Sequence, residues 1–136
     1  MNWGKAREFA ERIVADFKVE GSNDVKGKIR NLSGGNMQKL ILGRELITDP
    51  ALVILSQPTV GLDFDSQRHI HEKILSLRDQ GISFLLISTD IDEVTALSDR
   101  ILALYRGRIV NEFPNKDTFD CIEIGYYITG VKEHAE

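Results

Sequence analysis

The most informative stretch of the chain runs from Asn31 to Lys39 and contains a serine followed by two glycines. Ser33 is a strong N-cap residue and apolar residues recur at helical spacing after it, so a helix is predicted to begin here. The first turn of a helix presents unpaired N–H groups and a partial positive charge, which suit a γ-phosphate. Gly34 and Gly35 would let a phosphate approach the backbone. A plain helix cap is the alternative interpretation of the same residues.

A second segment, from Leu52 to Asp63, joins an apolar run to a polar turn. The run is short and unbroken, which is typical of a strand buried on both faces. It ends in the polar pair Ser56 and Gln57, and a turn rich in proline and glycine follows. Together the two segments predict a phosphate-facing helix tip followed by a buried strand and a shaped loop.

The order and spacing of these segments resemble the signature motif, Walker B strand and D-loop of ATP-binding-cassette (ABC) ATPases. The resemblance assigns Leu32, Ser33, Gly34, Gly35 and Asn36 to the signature motif, and Gly61, Leu62 and Asp63 to the D-loop. Further stretches look like the second cassette of tandem-cassette importers of simple sugars or nucleosides: Leu86–Asp90, Leu97–Ile101, Tyr105–Val110 and Gly125–Gly130. Such an importer also has two membrane permease subunits and an extracellular solute-binding protein.

Three positions depart from the pattern of an active ABC ATPase. The resemblance places Ser56 and Gln57 where such an enzyme carries its Mg²⁺-side aspartate and its water-activating glutamate, and Thr89 where its switch histidine falls. A glutamine can orient a water but cannot accept its proton, and losing general-base assistance costs about 10²–10⁴-fold in rate. We therefore expect no catalytic residue here, and no ATP hydrolysis by the isolated chain.

A phosphate-gripping P-loop is not found in the sequence. The nearest run, Gly21 to Lys28, has one residue too many, and Ile29 stands in place of the hydroxyl residue. The expected fold is α/β, a partial P-loop NTPase fold of the ABC type without its P-loop half, with a mainly parallel sheet, flanking helices and a helical lobe. Residues 1–48 are expected to form the helical subdomain, and residues 49–136 the C-terminal part of a RecA-like core.

Hydrophobic periodicity and turn residues predict the elements that must position these motifs. They are a helix over residues 3–17, a loop over 18–31, a helix from Ser33 to Asp49-Pro50, a strand over 51–55, a helix capped by Asp65 or Ser66 and ended at Gly81, a strand over 82–87, a helix over 91–97, a hairpin around Arg106-Gly107 and a closing helix over 118–129.

The resemblance implies an ATP site shared between two cassettes. In the family, ATP is sandwiched between the P-loop of one cassette and the signature helix of the other. The signature residues of this chain would cap ATP, with Mg²⁺, held by a partner cassette, and Asp63 would report across the interface. No cofactor is expected in the isolated chain, which we expect to be a cut piece of a cassette acting at the cytoplasmic face of a membrane.

Composition limits the other classes of function. The chain has 136 residues and a net charge of −4, so it lacks the basic excess of a nucleic-acid-binding protein. No metal site is expected, because His69 and His71 lie two apart on a helix and face different sides, and His134 is near the C-terminal end. Lys26, Lys28 and Arg30 could bind phosphate, but a solvent-exposed loop is the default interpretation of these residues.

Two alternatives remain open at the level of sequence. One is a stand-alone α/β module that binds or regulates another protein without nucleotide, and the other is an unrelated small α/β domain. If the chain is a truncated cassette, the missing half would supply strands to the same sheet, and its absence would leave an exposed sheet edge or apolar face. Self-association of the isolated chain is therefore expected.

Overall fold

The computed structural model describes residues 2–21, 27–48 and 50–132, and helices and strands alternate along most of them. The helices are α1 Trp3–Asp16, α2 Gly34–Leu46, α3 Phe64–Asp79, α4 Ile91–Leu97 and α5 Cys121–Ile128. The strands are β1 Leu52–Ser56, β2 Ser83–Ile87, β3 Ile101–Tyr105 and β4 Arg108–Phe113. The predicted α/β class is confirmed.

The chain divides into two compact units, Met1–Leu85 and Leu86–Glu136. This division falls within β2 and not at residue 48, where the helical subdomain was expected to end. The two-subdomain organisation therefore stays a prediction. In the first unit, α1 packs against α2, and the side chains of Ile13 and Phe17 meet the backbone of α2 at Gly43.

The strands β1 and β2 pair in parallel, and α3 connects them. Burial alternates along β1, where Val53 and Leu55 are buried while Leu52 and Ile54 are exposed. The expectation that this strand is buried on both faces is therefore wrong for the part of the chain that the structure describes. A crossover helix such as α3 covers one face of a parallel pair, and a second layer is needed to cover the other.

The second unit is built on an antiparallel hairpin of β3 and β4, as predicted. Its turn residues Arg106 and Gly107 have φ values of 47° and 78°, the left-handed pair that suits the twist of a tight hairpin. The helix α5 packs on the hairpin around a small core made of Ile101, Ala103, Phe113 and Ile124. Within the described residues, the strands form two sheets of two strands each, β1–β2 and β3–β4.

Candidate nucleotide-facing site

The tip of α2 is capped by Ser33 and open to solvent. The Ser33 Oγ accepts hydrogen bonds from the backbone N–H of Asn36 at 3.3 Å and from its side-chain Nδ2 at 3.1 Å. Ser33 and Gly34 are exposed, while Leu32 and Gly35 are half-buried. The first-turn N–H groups of an α-helix have no partner within the helix, so this tip offers donors to an anion arriving from solvent.

Two side chains of α2 hold the segment that follows α1. The Oδ1 atom of Asn36 accepts a hydrogen bond from the backbone N–H of Glu20 at 2.8 Å. The buried Lys39 donates from Nζ to the carbonyl oxygen of Lys18 at 3.4 Å, and Lys18 has a left-handed φ of 49°. Because the amide of Asn36 is engaged on both sides, its role in the structure is to order the helix tip and this loop.

The loop predicted to be a D-loop is a compact turn between β1 and α3. The N–H of Val60 donates to the carbonyl of Gln57 at 3.3 Å, and the N–H of Leu62 to that of Thr59 at 3.1 Å. Gln57 and Gly61 have φ values of 51° and 77°, a conformation that costs a non-glycine residue about 1–3 kcal/mol. Two left-handed residues thus shape the turn.

The structure places this turn directly against α2. A Cβ atom added at Gly35 would lie 3.1 Å from Cδ2 of Leu62, so the backbone of the helix tip touches the turn at this point. One helical turn further along, Gln38 donates from Nε2 to the carbonyl oxygen of Pro58 at 3.3 Å. The two motifs are therefore neighbours in space, although the sequence separates them by about a strand and a helix.

Asp63 is the N-cap of α3. Its carboxylate accepts hydrogen bonds from the N–H of Ser66 at 2.9 Å and from the Oγ of Ser66 at 2.7 Å. These bonds, with a smaller contribution from the nearby Lys39 ammonium, hold the pKa of the Asp63 carboxyl below its usual range. The cap expected at Asp65 or Ser66 is wrong by two or three residues, because the aspartate just before the helix receives the free N–H groups of the first turn.

A cavity of about 510 Å³ opens between the tip of α2, the loop after α1 and the first turns of α3. It is lined by Ser33, Gly35, Asn36, Lys39, Asp63 and Ser66, among others. Residues from both predicted motifs thus face one space, and its wall carries charges of both signs.

No helix of the described residues is long and apolar enough to cross a membrane.

The sequence of the chain is similar to those of known import ATP-binding proteins. The chain is 44% identical over 131 residues to the glucose import ATP-binding protein of Haloferax volcanii, and 41% identical over 108 residues to the xylose import ATP-binding protein of Moorella thermoacetica. The match covers 96% and 79% of the chain, but only 24% and 21% of those proteins. The chain belongs to the ATP-binding-cassette family. No family model matches it.

Solved ABC structures agree in fold. A nucleotide-free cassette from an ABC transporter superimposes with a TM-score of 0.70 at 28% identity, over 90% of this chain and 46% of that one. A dimeric cassette in a post-hydrolysis state with ADP and phosphate gives 0.72 at 24% identity, over 83% of this chain and 48% of that one. The expected partial ABC fold is confirmed, and the chain spans about half of each solved cassette.

The three residues that the sequence resemblance assigns to catalytic positions, Ser56, Gln57 and Thr89, are polar and carry no carboxylate. Ser56 ends β1 and is exposed, and Gln57 follows it in a half-buried, left-handed position. Thr89, in the second unit, is exposed beyond the end of β2. The loss of ATP hydrolysis stays a prediction.

Of the remaining candidate ligands, His69 lines the same cavity as Ser33, Gly35 and Asp63. Within the described residues, the acids, histidines and cysteine form no group of three that could hold a metal ion. The Nε2 of His69 lies 3.2 Å from the carbonyl oxygen of Asp16. His134 and Lys26 are outside the described residues. For this ABC chain the absence of a metal site stays a prediction.

Sequence reasoning missed two residues that organise the site, Gln38 and Lys39. Both reach from α2 to other segments of the first unit. A signal was present, since Gln38 and Lys39 follow Gly35 by three and four residues and so share its side of the helix.

Proposed function

We propose that the chain is part of the ATP-binding subunit of an ABC importer for a sugar or nucleoside, and that its α2 tip caps an ATP held by a partner cassette. The observation that carries the proposal is the exposed tip at Ser33 and Gly34, lying beside the turn of Gly61 to Asp63. The proteins it resembles include import ATP-binding proteins for glucose and xylose and, at 36% identity, for guanosine in Bacillus subtilis.

The chemistry of the tip suits a terminal phosphate. An atom added at Gly34 would meet nothing within 4 Å, so a phosphate oxygen can approach the backbone there. The Ser33 Oγ accepts hydrogen bonds from Asn36 and keeps its own proton for donation to an incoming anion. Preorganised N–H and O–H donors at a helix N-terminus stabilise negative charge without rearrangement.

The remaining parts of the proposal follow from the family. ATP with Mg²⁺ would be bound only in the composite site, and the P-loop and hydrolytic carboxylate would come from the partner cassette. The Ser56 and Gln57 half-site would be inactive. Permease subunits and, indirectly, an extracellular solute-binding protein would be further partners, with this chain at the cytoplasmic face of the membrane.

The proposal predicts ATP-dependent association with an intact cassette, which an interaction module without nucleotide would not show. The chain is titrated against the P-loop cassette of the xylose import relative, with and without Mg·ATP, by fluorescence anisotropy. The change Ser33→Asp keeps a good N-cap but places a negative charge beside the phosphate. We expect at least about tenfold weaker ATP-dependent association, because the added carboxylate and the phosphate repel each other.

A matched control places the same charge at another helix cap. Asn2 caps α1 through Oδ1, so Asn2→Asp also replaces a capping residue by aspartate. This variant should associate like the unaltered chain. Equal association with and without ATP, or equal affinity of the Ser33→Asp chain, would contradict the proposal.

A further inference from the structure

One side chain of α2, Gln38, reaches across to the turn that follows β1. Its Nε2 donates to the carbonyl oxygen of Pro58 at 3.3 Å in a partly buried setting. Pro58 is among the fully buried side chains of the structure, so the carbonyl belongs to an anchored part of the turn. The hydrogen bond therefore joins two ordered pieces of backbone through a single amide.

A second contact lies on the same side of the helix. Gly35 precedes Gln38 by three residues, which places both on one face of α2. Leu62 lies so close to Gly35 that an added Cβ would sit 3.1 Å from its Cδ2. Contacts at Pro58 and at Leu62, four residues apart in the turn, set both the distance and the orientation of the turn relative to the helix tip.

The turn needs such support because of its backbone. Gly61 adopts its left-handed φ without strain, but Gln57 has a side chain, and a strained conformation of this kind persists only where surrounding contacts hold it. The internal bonds of Val60 and Leu62 close the turn on itself but do not attach it to α2. The Gln38 amide makes that attachment.

We infer that Gln38 is a positioning residue that locks the turn of Gln57–Leu62 to the α2 tip, so that a partner meets both as one preformed surface. The inference rests on the proposed function for its consequence in ATP-dependent association, and on this chain alone for its structural content. Gln38 itself need not touch the nucleotide. Its effect is to hold Leu62, and through it Asp63, at a constant position beside Ser33 and Gly34.

The test compares two glutamine-to-methionine changes. Gln38→Met keeps the length of the side chain but removes the donor. Gln80→Met is the control, because Gln80 donates from Nε2 to the carbonyl oxygen of Ser76 at 3.0 Å at the other end of α3. Each variant loses a hydrogen bond from a side-chain amide to a backbone carbonyl, partly buried at Gln38 and exposed at Gln80, and thermal unfolding of both variants measures how far global stability changes.

The first readout is hydrogen exchange at the N–H groups of Val60 and Leu62 in the chain alone. In the Gln38→Met chain we expect about fivefold faster exchange, the ratio that corresponds to one ordinary hydrogen bond, and no change in the Gln80→Met chain. Unchanged exchange in the Gln38→Met chain, or equal acceleration in both variants, overturns the inference.

The second readout is the ATP-dependent dissociation constant with the xylose-importer cassette. Gln38→Met should weaken association by about fivefold, if one hydrogen bond's worth of preorganisation is lost, while Gln80→Met should not. Equal affinity of the Gln38→Met and unaltered chains overturns the inference. If the unaltered chain does not associate at all, the proposed function fails, and hydrogen exchange alone then decides the role of Gln38.

Discussion

Single side chains in this site perform more than one task. Ser33 caps α2 through its Oγ and still carries a proton that it can donate. Asp63 caps α3 with both carboxylate oxygens engaged by Ser66. The helix cap therefore fixes the orientation of the Asp63 carboxylate. Any contact that Asp63 makes with a partner would use the carboxylate in this fixed orientation.

The Asp63 cap predicts a pH dependence below about pH 4, the region where an unperturbed aspartate titrates. Because hydrogen bonds from Ser66 lower the pKa of Asp63 in the folded chain, the carboxylate stabilises the fold above the unfolded pKa. That stabilisation is lost as the pH falls through the folded pKa. We expect Ser66→Ala to raise the pKa of Asp63, as measured by NMR titration of its carboxyl carbon.

The control for this titration is Ser76→Ala, which removes a hydroxyl from the far end of α3, where Ser76 Oγ accepts from Gln80. The titration of Asp63 should be the same in this variant as in the unaltered chain. A Ser66→Ala chain in which the Asp63 pKa does not move would show that the hydrogen bond from the Ser66 hydroxyl does not control this carboxyl.

At the scale of elements, the contact between α1 and α2 depends on a glycine. A Cβ atom at Gly43 would lie 2.5 Å from Cγ2 of Ile13 and 2.7 Å from Cδ2 of Phe17. Both of these side chains are buried, with exposed fractions of 3% and 1%. The helices can approach at this point because one of them carries no side chain there, and the orientation of the α2 tip depends on that approach.

We predict that Gly43→Ala destabilises the fold although alanine is the better helix former. The propensity gain is about 1 kcal/mol, whereas forcing an extra atom into a packed core costs about 1–3 kcal/mol. Urea unfolding should therefore show a net loss of stability. Gly4→Ala is the control, since its Cβ would meet only Asn2 Oδ1 at 3.4 Å. Greater stability of the Gly43→Ala chain would refute the close approach.

At the scale of the whole molecule, the β1–β2 pair leaves an apolar face uncovered by the described residues. Leu52, Ile54 and Leu85 are 56%, 63% and 50% exposed. Contiguous apolar surface of this kind mediates association of proteins in solution. We therefore expect the isolated chain to self-associate through the exposed face of this strand pair.

We predict that Ile54→Lys weakens self-association in sedimentation equilibrium, because a charge on this face must be desolvated on contact. Its effect on stability should be small, since the side chain is already largely exposed. Ile122→Lys is the control, as Ile122 in α5 is 68% exposed and lies outside this face. Equal association constants for the two variants, or a monomeric unaltered chain at high concentration, would count against the prediction.

The local features of the chain could be predicted closely. The α1 helix ends one residue from its expected position, Ser33 caps α2, and the hairpin turns at Arg106-Gly107. Each depends on residues near each other in sequence: side-chain spacing, a capping hydroxyl, or a glycine that accepts a positive φ. The resemblance of the two motifs could be predicted for the same reason, since it depends only on residue types and their spacing along the chain.

Contacts between distant residues were decided by the tertiary structure. An apolar run such as Leu52–Leu55 permits burial of a strand on both faces, but each face is buried only if a neighbouring layer covers it. Here only alternate residues of β1 are buried. The attachment of Gln38 to Pro58 depends likewise on how α2 packs beside β1. The amino-acid sequence by itself determined most of the elements and the Ser33 cap of α2, because those depend on local preferences. The cavity, the exposed sheet face and the joining of the two motifs arise only when packing brings separate segments together.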